Sequence, residues 1–172
     1  NVRKKIIDSK PVFYGAKTKL DGTCAAIQVF PDGKIIVQSR TAILTPESDN
    51  GGFARWVQEN KIVDLTNKLD APYTIFGEWC GRGIQKRCSI SKINRKVFCV
   101  FAIQHGMKFD INPETIQKIV PKHPDIFVIP FYNHILVNYD DKEKLEKQVA
   151  TMNEWIADVE KCDPFVKDTF GI

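Results

Sequence analysis

The 172-residue chain has no long hydrophobic run. No uninterrupted apolar segment approaches the roughly 20 residues that a membrane-spanning helix needs. The first five residues, which include Arg3, Lys4 and Lys5, are not followed by the apolar segment of a secretory signal. These absences argue against a membrane or secreted protein. We therefore expect a soluble intracellular protein, cytoplasmic or nuclear, and leave a viral or phage origin open.

Cysteine and histidine patterns that build disulfide frameworks or zinc sites are also missing. The five cysteines form an odd number without a C-x-x-C pair, and the three histidines are scattered. Neither a disulfide scaffold nor a zinc site is indicated. We expect reduced thiols, most of them buried.

Acidic residues are absent between Glu78 and Asp110, although the net charge of the whole chain is only +4. The same interval contains seven basic residues: Arg82, Lys86, Arg87, Lys92, Arg95, Lys96 and Lys108. Such a run can neutralise the phosphates of a nucleic acid. It can equally be a solvated face that acids elsewhere in the fold balance.

Strand-like segments separated by turn residues dominate the chain. Asp-Gly and Pro-Asp-Gly turns between short apolar stretches are typical of antiparallel hairpins and predict a meander over residues 12–40. The predicted strands cover residues 12–14, 25–30, 35–37, 73–78, 97–103, 126–131 and 135–137.

Caps and apolar residues at helical spacing predict three helices. The first begins after Asn50, the second after Asn112, and the longest spans residues 141–161. Their apolar faces are formed by Phe53, Trp56 and Val57, by Ile116, Ile119 and Val120, and by Leu145, Val149, Met152, Ile156 and Val159. This order of elements predicts one α+β domain over residues 1–172, with antiparallel sheets flanked by helices.

Lys19 stands just before the first Asp-Gly turn. A strand end would fix its amine, and glycine would let a phosphate-bearing ligand approach the backbone closely. A lysine attacks phosphorus only as the neutral amine. Its pKa, ordinarily about 10.4, must therefore be lowered by desolvation or by cations such as Lys17 and a metal ion. The pattern K-x-D-G is also frequent in ordinary hairpins.

A family resemblance indicates a function for this pattern. The segment Lys19-Leu20-Asp21-Gly22-Thr23 resembles the first motif of the covalent nucleotidyltransferases, the superfamily of RNA ligases, DNA ligases and mRNA capping enzymes. Three further segments resemble later motifs and follow in the superfamily's order: Ser39-Arg40, Phe76-Gly77-Glu78-Trp79 and residues 97–103. The resemblance implies the nucleotidyltransferase fold, an ATP-grasp-like ligase core.

The resemblance also implies roles for particular residues. Lys19 would attack the α-phosphate of ATP and carry AMP, with Thr18 contacting the base or its ribose. The planar fork of Arg40 would contact phosphate oxygens. Glu78 would bind the ribose or help to hold a metal ion indirectly. Asp21 would shape the turn.

An aromatic ring on the strand at residues 97–103 would stack on adenine in the same superfamily. Phe101 is chosen because Phe98, an odd number of residues away, points to the opposite face of a regular strand. Ala102 stands where the superfamily has an aspartate.

The branch of the superfamily is indicated by the residues after the turn. DNA ligases and capping enzymes usually carry arginine where this chain has Cys24, so Cys24 together with Ser39-Arg40 favours RNA ligase. Arg82, Lys86 and Arg87 are then the candidates for contact with the RNA backbone.

Two motifs of the superfamily are not found. No Glu-Gly pair occurs, and Lys-x-Lys occurs only at residues 17–19 and 142–144, the nucleophile segment and the start of a predicted helix. We therefore expect an adenylyltransferase domain that is incomplete at its C-terminus and that adenylylates poorly or not at all by itself.

The function implied is ATP-dependent joining of an RNA 5′-phosphate to a 3′-hydroxyl through a lysyl-AMP intermediate, as in RNA repair. ATP and Mg²⁺ or Mn²⁺ are the implied cofactors, and a monomer is expected. Two alternatives stay open. One is a DNA ligase or mRNA guanylyltransferase, and the other is a non-catalytic RNA-binding module with the same architecture.

Overall fold

The computed structural model describes residues 10–66 and 70–172. Residues 1–9, on which the expectation about a secretory signal rests, lie outside the described residues. The chain divides into two compact units. Within the described residues, the larger unit comprises residues 20–66, 70–129 and 172, and the smaller unit comprises residues 10–19 and Pro130–Gly171. No helix within the described ranges is long and apolar enough to cross a membrane.

A seven-stranded sheet, counted over the described residues, forms the larger unit. Its strands are β2 (Thr23–Val29), β3 (Ile35–Ser39), β4 (Ile43–Leu44), β5 (Tyr73–Gly81), β6 (Lys96–His105), β7 (Lys108–Asp110) and β8 (Ile126–Val128). The order β4-β3-β2-β5-β6-β7 is antiparallel throughout, and β8 pairs with β6 in parallel. The predicted α+β architecture of antiparallel sheets with helices is thus confirmed, with one parallel pair added.

The larger unit also carries the helices α1 (Phe53–Glu59), α2 (Ile62–Leu65) and α3 (Pro113–Ile119), and a 3₁₀ turn at Ser89–Lys92. The Asp49 carboxylate accepts hydrogen bonds of 2.9 Å from the N–H groups of both Ala54 and Arg55 at the start of α1. The Asn112 side chain caps α3 by accepting from the Glu114 N–H at 2.9 Å. Because these side chains satisfy N–H groups that lack partners inside the helix, both helices begin where the sequence predicts.

Aromatic side chains from α1, β5 and β6 join in one hydrophobic core. The ring of Phe53 lies 4.9 Å from that of Phe98, 5.2 Å from that of Trp79 and 5.9 Å from that of Trp56, between centroids. The Trp79 indole N–H donates to the Gly51 carbonyl at 2.9 Å, so burial leaves it satisfied. Alternate residues of β5, including Trp79, therefore face this core, and the residues between them face away.

Gly77 lets β5 and the ring of Phe98 approach each other. A Cβ atom at Gly77 would lie 2.5 Å from Phe98 Cε2 and 2.8 Å from the Cys99 carbonyl oxygen. The β5–β6 ladder is irregular at the same place: Phe76 pairs with Ala102 and Gly77 with Val100, so Phe101 is an extra residue.

The smaller unit contains β1 (Val12–Ala16), β9 (Asn133–Val137), α4 (Lys142–Lys161) and α5 (Pro164–Phe170). β1 and β9 are antiparallel, with Val12 opposite Val137. The Gln148 side chain of α4 hydrogen-bonds to β9 at the Leu136 carbonyl and accepts from the Asn138 N–H at 3.0 Å.

One prediction about the smaller unit is wrong, and the long helix of this unit is only partly buried. The segment 12–16 does not form a hairpin with β2, because its hydrogen-bonding partner is β9. The apolar face of the long helix is not fully buried: α4 has no fully buried residue, and Ile156 is 58% exposed. A two-stranded sheet is too small to cover both the length and the width of a 20-residue helix.

We predict that Gly77→Ala lowers the free energy of unfolding by about 1–3 kcal/mol, because the added methyl overpacks the contact with Phe98. Urea unfolding measures the change. Gly83→Ala is the control, since no atom lies within 4 Å of a Cβ built there. Gly83→Ala is expected to lower the free energy of unfolding by about 1 kcal/mol, because alanine is strained in the left-handed backbone conformation of this position. Equal stability of Gly77→Ala and wild type would contradict the packing argument.

Candidate active site

Lys19 is exposed and lies three residues beyond the end of β1. Two contacts fix the residues just before it. The Thr18 hydroxyl is buried and donates to Asp163 Oδ1 at 3.3 Å, and the same carboxylate caps α5. The Lys17 ammonium lies 5.0 Å from the centroid of the Phe131 ring, which is within cation–π range. The strand end therefore presents Lys19 from a held backbone.

A cavity of about 610 Å³ in the smaller unit is lined by Lys17, Thr18 and Lys19. Its other walls include the rings of Tyr14, Tyr132 and Trp155 together with Met152, Ile156 and Val159 of α4. This volume is in the range of ligand-binding cavities. The helical spacing of Met152, Ile156 and Val159 can be recognised in the sequence, but it does not indicate that these residues line a cavity. Trp155 is not among the residues on which the prediction of the helix rests.

The Asp21–Gly22 turn belongs to the larger unit and lies against β5. The Gly22 N–H donates to Glu78 Oε1 at 3.0 Å. A Cβ atom at Gly22 would lie 2.5 Å from the Trp79 carbonyl oxygen and 2.9 Å from Glu78 Cγ. The Asp-Gly pair was predicted to form a tight hairpin turn; instead, its glycine is required because the backbone passes so close to β5. One oxygen of Glu78 holds this turn.

Two side chains from the segment after β5 contact the same turn. Gln85 Nε2 donates to the Gly22 carbonyl at 3.4 Å, and the Cys88 thiol lies 3.4 Å from the Asp21 carbonyl. Neither residue is predicted as a site residue from the sequence, because their partners are backbone carbonyls, which leave no sequence pattern.

Arg40 is exposed immediately after β3. Ser39 builds the turn that presents it: its Oγ accepts from the Thr41 N–H at 3.4 Å and from the Ala42 N–H at 3.2 Å. The Ser-Arg pair thus combines a turn-forming hydroxyl with an exposed arginine. This arrangement suits a phosphate contact.

Cys24 is influenced by two charged side chains, those of Glu78 and Arg40. It pairs with Glu78 across the β2–β5 ladder, on the sheet face away from the core. Burial raises the pKa of the Cys24 thiol, the Glu78 carboxylate raises it further, and the Arg40 guanidinium lowers it. The three side chains of Cys24, Glu78 and Arg40 therefore interact electrostatically, and the sequence did not mark Cys24 as a member of the site.

Phe98 and Phe101 have different environments. Phe98 is fully buried in the core, whereas Phe101 is half-buried and lies outside the core cluster. The extra residue at Phe101 breaks the regular strand alternation from which Phe101 was predicted, and its stacking on adenine stays a prediction.

The basic segment is split between structural and exposed residues. Arg95 pairs with Asp125 at 3.0 Å, and Lys96 Nζ donates to the Gly51 carbonyl at 2.8 Å. Arg82, Lys86 and Arg87 are exposed, and within residues 10–66 and 70–172 no acidic side chain pairs with them.

Metal ligands do not come together in the described part of the chain: no three His, Cys, Asp or Glu side chains there form a group that could hold an ion. The residues present do not by themselves fit a protein-made metal cage, and Glu78 already uses one oxygen on the Gly22 N–H.

Comparisons with known proteins agree on one family. The sequence model described as RNA ligase matches residues 14–167. No curated protein sequence matches significantly. A solved structure of a Naegleria gruberi RNA ligase variant with ATP and Mn is similar, with a TM-score of 0.60, 19% identity and coverage of 87% of this chain and 44% of that one.

Two more structures of Naegleria gruberi RNA ligase variants are also similar. One, without ligand, has a TM-score of 0.61, 18% identity and coverage of 87% of this chain and 43% of that one. The other, with AMP and Mn, has a TM-score of 0.57, 21% identity and coverage of 86% and 42%. The likeness shows the nucleotidyltransferase fold, and the chain spans less than half the length of these relatives.

We predict opposite shifts in the pKa of Cys24 when its two charged neighbours are neutralised. Glu78→Gln removes a charge that raises the pKa, so the thiolate forms at lower pH; Arg40→Gln removes a charge that lowers it, so the thiolate forms at higher pH. The pH dependence of iodoacetamide alkylation, followed for the Cys24 peptide by mass spectrometry, measures both shifts. The exposed Cys162 is the internal reference. Shifts of the same sign would contradict the arrangement.

Proposed function

The chain belongs to the RNA ligase family, and we propose on that premise that it is the nucleotide-transferring part of an ATP-dependent enzyme that joins RNA 5′-phosphate and 3′-hydroxyl ends. The observation that carries the proposal is the turn after Lys19, held on β5 by the hydrogen bond from Gly22 to Glu78. This hydrogen bond fixes the Asp-Gly part of the motif that follows the proposed nucleophile in the chain.

The proposed reaction has three steps. Lys19 Nζ attacks the α-phosphate of ATP, a nitrogen–phosphorus bond forms, pyrophosphate leaves and the amine loses its proton. The 5′-phosphate of RNA then attacks this phosphorus, which breaks the bond to Lys19 and places AMP on the RNA end. Finally the 3′-hydroxyl attacks the 5′-phosphate, AMP leaves, and a phosphodiester bond remains.

Four other residues would position the nucleotide. Arg40 would contact phosphate oxygens as a planar donor. Glu78 would accept from the ribose hydroxyls, and Phe101 would stack on adenine. Thr18 would contribute its backbone groups, because its hydroxyl hydrogen is directed to Asp163.

ATP with Mg²⁺ or Mn²⁺ is the proposed cofactor set, and similar structures of Naegleria gruberi RNA ligase variants contain ATP or AMP with Mn. Mg²⁺ in such sites is commonly held by one or two carboxylates together with substrate phosphates. Since the described residues do not assemble three ligands, no step is assigned to the metal here. We propose that completing the site needs the Glu-Gly and Lys-x-Lys strands, which this sequence lacks.

We predict that covalent labelling by ATP depends on Lys19. The 172-residue chain and a longer version carrying the two further strands are incubated with ATP labelled at the α-phosphate and separated by denaturing electrophoresis. Label is expected on the longer version, with little on the chain alone, and Lys19→Ala should abolish it because no other amine occupies that position. Lys10→Ala, at another exposed lysine, is the control and should keep the label.

Other outcomes of this experiment would identify the alternatives. Label from GTP but not from ATP would favour a guanylyltransferase, and sealing of nicked DNA in preference to RNA would favour a DNA ligase. RNA binding by the longer version without any label would favour a non-catalytic module. Label that survives Lys19→Ala would overturn the assignment of the nucleophile.

We predict that the exposed cations after β5 bind the RNA backbone. Replacing Arg82, Lys86 and Arg87 together by glutamine should weaken binding of a 5′-phosphorylated RNA and reduce the slope of log K against log[salt] by about 2–3, near 0.7–0.9 for each lost phosphate contact. Fluorescence anisotropy at several salt concentrations measures the slope.

The matched control removes the same charge from α4. Lys142, Lys144 and Lys147 are each paired with an acidic side chain on or next to that helix, so replacing all three by glutamine should leave the salt slope nearly unchanged. Equal losses in both triple variants would show a non-specific effect of net charge.

A further inference from the structure

The segment between β5 and β6 both carries exposed positive charge and contacts the turn that follows Lys19. We propose that Gln85 and Cys88 are positioning residues that couple RNA binding by Lys86 and Arg87 to the placement of the Asp21–Gly22 turn. This inference rests on the proposed function and adds a physical link between the RNA surface and the nucleotide site.

Three consecutive backbone groups of the turn are held by side chains. The Gly22 N–H is bound by Glu78, the Gly22 carbonyl accepts from Gln85, and the Asp21 carbonyl accepts from the Cys88 thiol. Glu78 belongs to the central strand β5 and not to the segment that follows it. Gln85 and Cys88 do belong to the segment, so any displacement of the segment acts on the two carbonyls.

The two contacts flank the two cations. Lys86 and Arg87 lie between Gln85 and Cys88 in the chain, and the Cys88 N–H donates to the Gln85 carbonyl at 3.3 Å, which closes the intervening turn. Both ends of this short turn are therefore attached to Asp21–Gly22, while its exposed middle carries the charges. A phosphate that binds Lys86 and Arg87 therefore acts on a short loop that is attached at both ends.

The backbone of this turn is held in a costly conformation. Gln85 has φ of +44°, in the left-handed region that residues with a Cβ atom rarely adopt. Such conformations persist where surrounding contacts over-determine them. Here those contacts include the Gln85 amide on Gly22 and the Cys88 thiol.

The Cys88 thiol can occupy two states. Its sulfur lies 3.4 Å from the Asp21 carbonyl and 3.0 Å from the Gln85 carbonyl, and a thiol has a single hydrogen. It can hold either the nucleotide turn or its own loop at one time. RNA or nucleotide binding can shift this choice, and by linkage each ligand then changes the affinity of the other by the same factor.

The experiment measures that factor. The dissociation constant of a 5′-phosphorylated RNA is determined for the longer version that carries the two further strands, with and without a saturating ATP analogue whose α–β bridge cannot be cleaved. We expect the analogue to tighten RNA binding about fivefold or more, the usual lower range of such coupling. In the double variant Gln85→Ala, Cys88→Ala the ratio should fall to about one, while RNA affinity without ATP changes less than about threefold because the cations remain.

Controls separate a positioning role from a structural one. Cys162→Ala, at an exposed cysteine of the smaller unit, should keep the full ratio. Lys86→Gln with Arg87→Gln should weaken RNA binding both with and without ATP. The inference, but not the proposed function, is overturned if the double variant keeps the ratio of the two dissociation constants. It is also overturned if the wild type binds both ligands with a ratio of about one. Failure of wild type to bind ATP or RNA contradicts the proposed function as well.

A second measurement needs no variant. Iodoacetamide should alkylate the wild-type Cys88 more slowly than the exposed Cys162, since access controls this reaction. RNA should slow Cys88 further without affecting Cys162. Equal rates for the two cysteines would mean that the thiol contact is not formed, and would also overturn the inference.

Discussion

The close approach of the Asp21–Gly22 turn to β5 is the constraint on which the candidate site depends. The Gly22 N–H donates to Glu78 at 3.0 Å, and there is no room for a Cβ atom, which would lie 2.5 Å from the Trp79 carbonyl. An N–H bound to a carboxylate is a charge-assisted hydrogen bond, about twice as strong as a neutral one. The turn is thereby attached to a central strand of the sheet.

β5 connects the site to the hydrophobic core through strand alternation. Glu78 faces the turn, while its neighbours Gly77 and Trp79 face the core, where Gly77 makes room for Phe98 and Trp79 packs against Phe53. Because protein interiors are close-packed, the aromatic core fixes the height and rotation of the strand. The position of the Glu78 carboxylate is therefore set by residues of the hydrophobic core.

The sequence predicts the parts of this fold that are encoded locally. The starts of α1 and α3, the long helix α4 and the strands β5 and β6 follow from caps and periodicity within a few residues. The pairing of β1 with β9 could not be predicted in this way. Val12 and Val137 are far apart in the chain, and the local sequence around each does not identify the other as its partner. The same limit applies to Gln85 and Cys88, whose partners are backbone carbonyls.

Cys24 shows how a neutral side chain can preserve the central hydrogen bond. It lies opposite Glu78 in the β2–β5 ladder, and burial together with Glu78 raises the pKa of its thiol, which keeps it protonated near neutral pH. An arginine here, as DNA ligases and capping enzymes usually carry, would offer Glu78 a bidentate partner. That partner would compete with the Gly22 N–H for the carboxylate. With cysteine at this position, Glu78 stays available to the turn, and Arg40 is the guanidinium that acts on the Cys24 thiol.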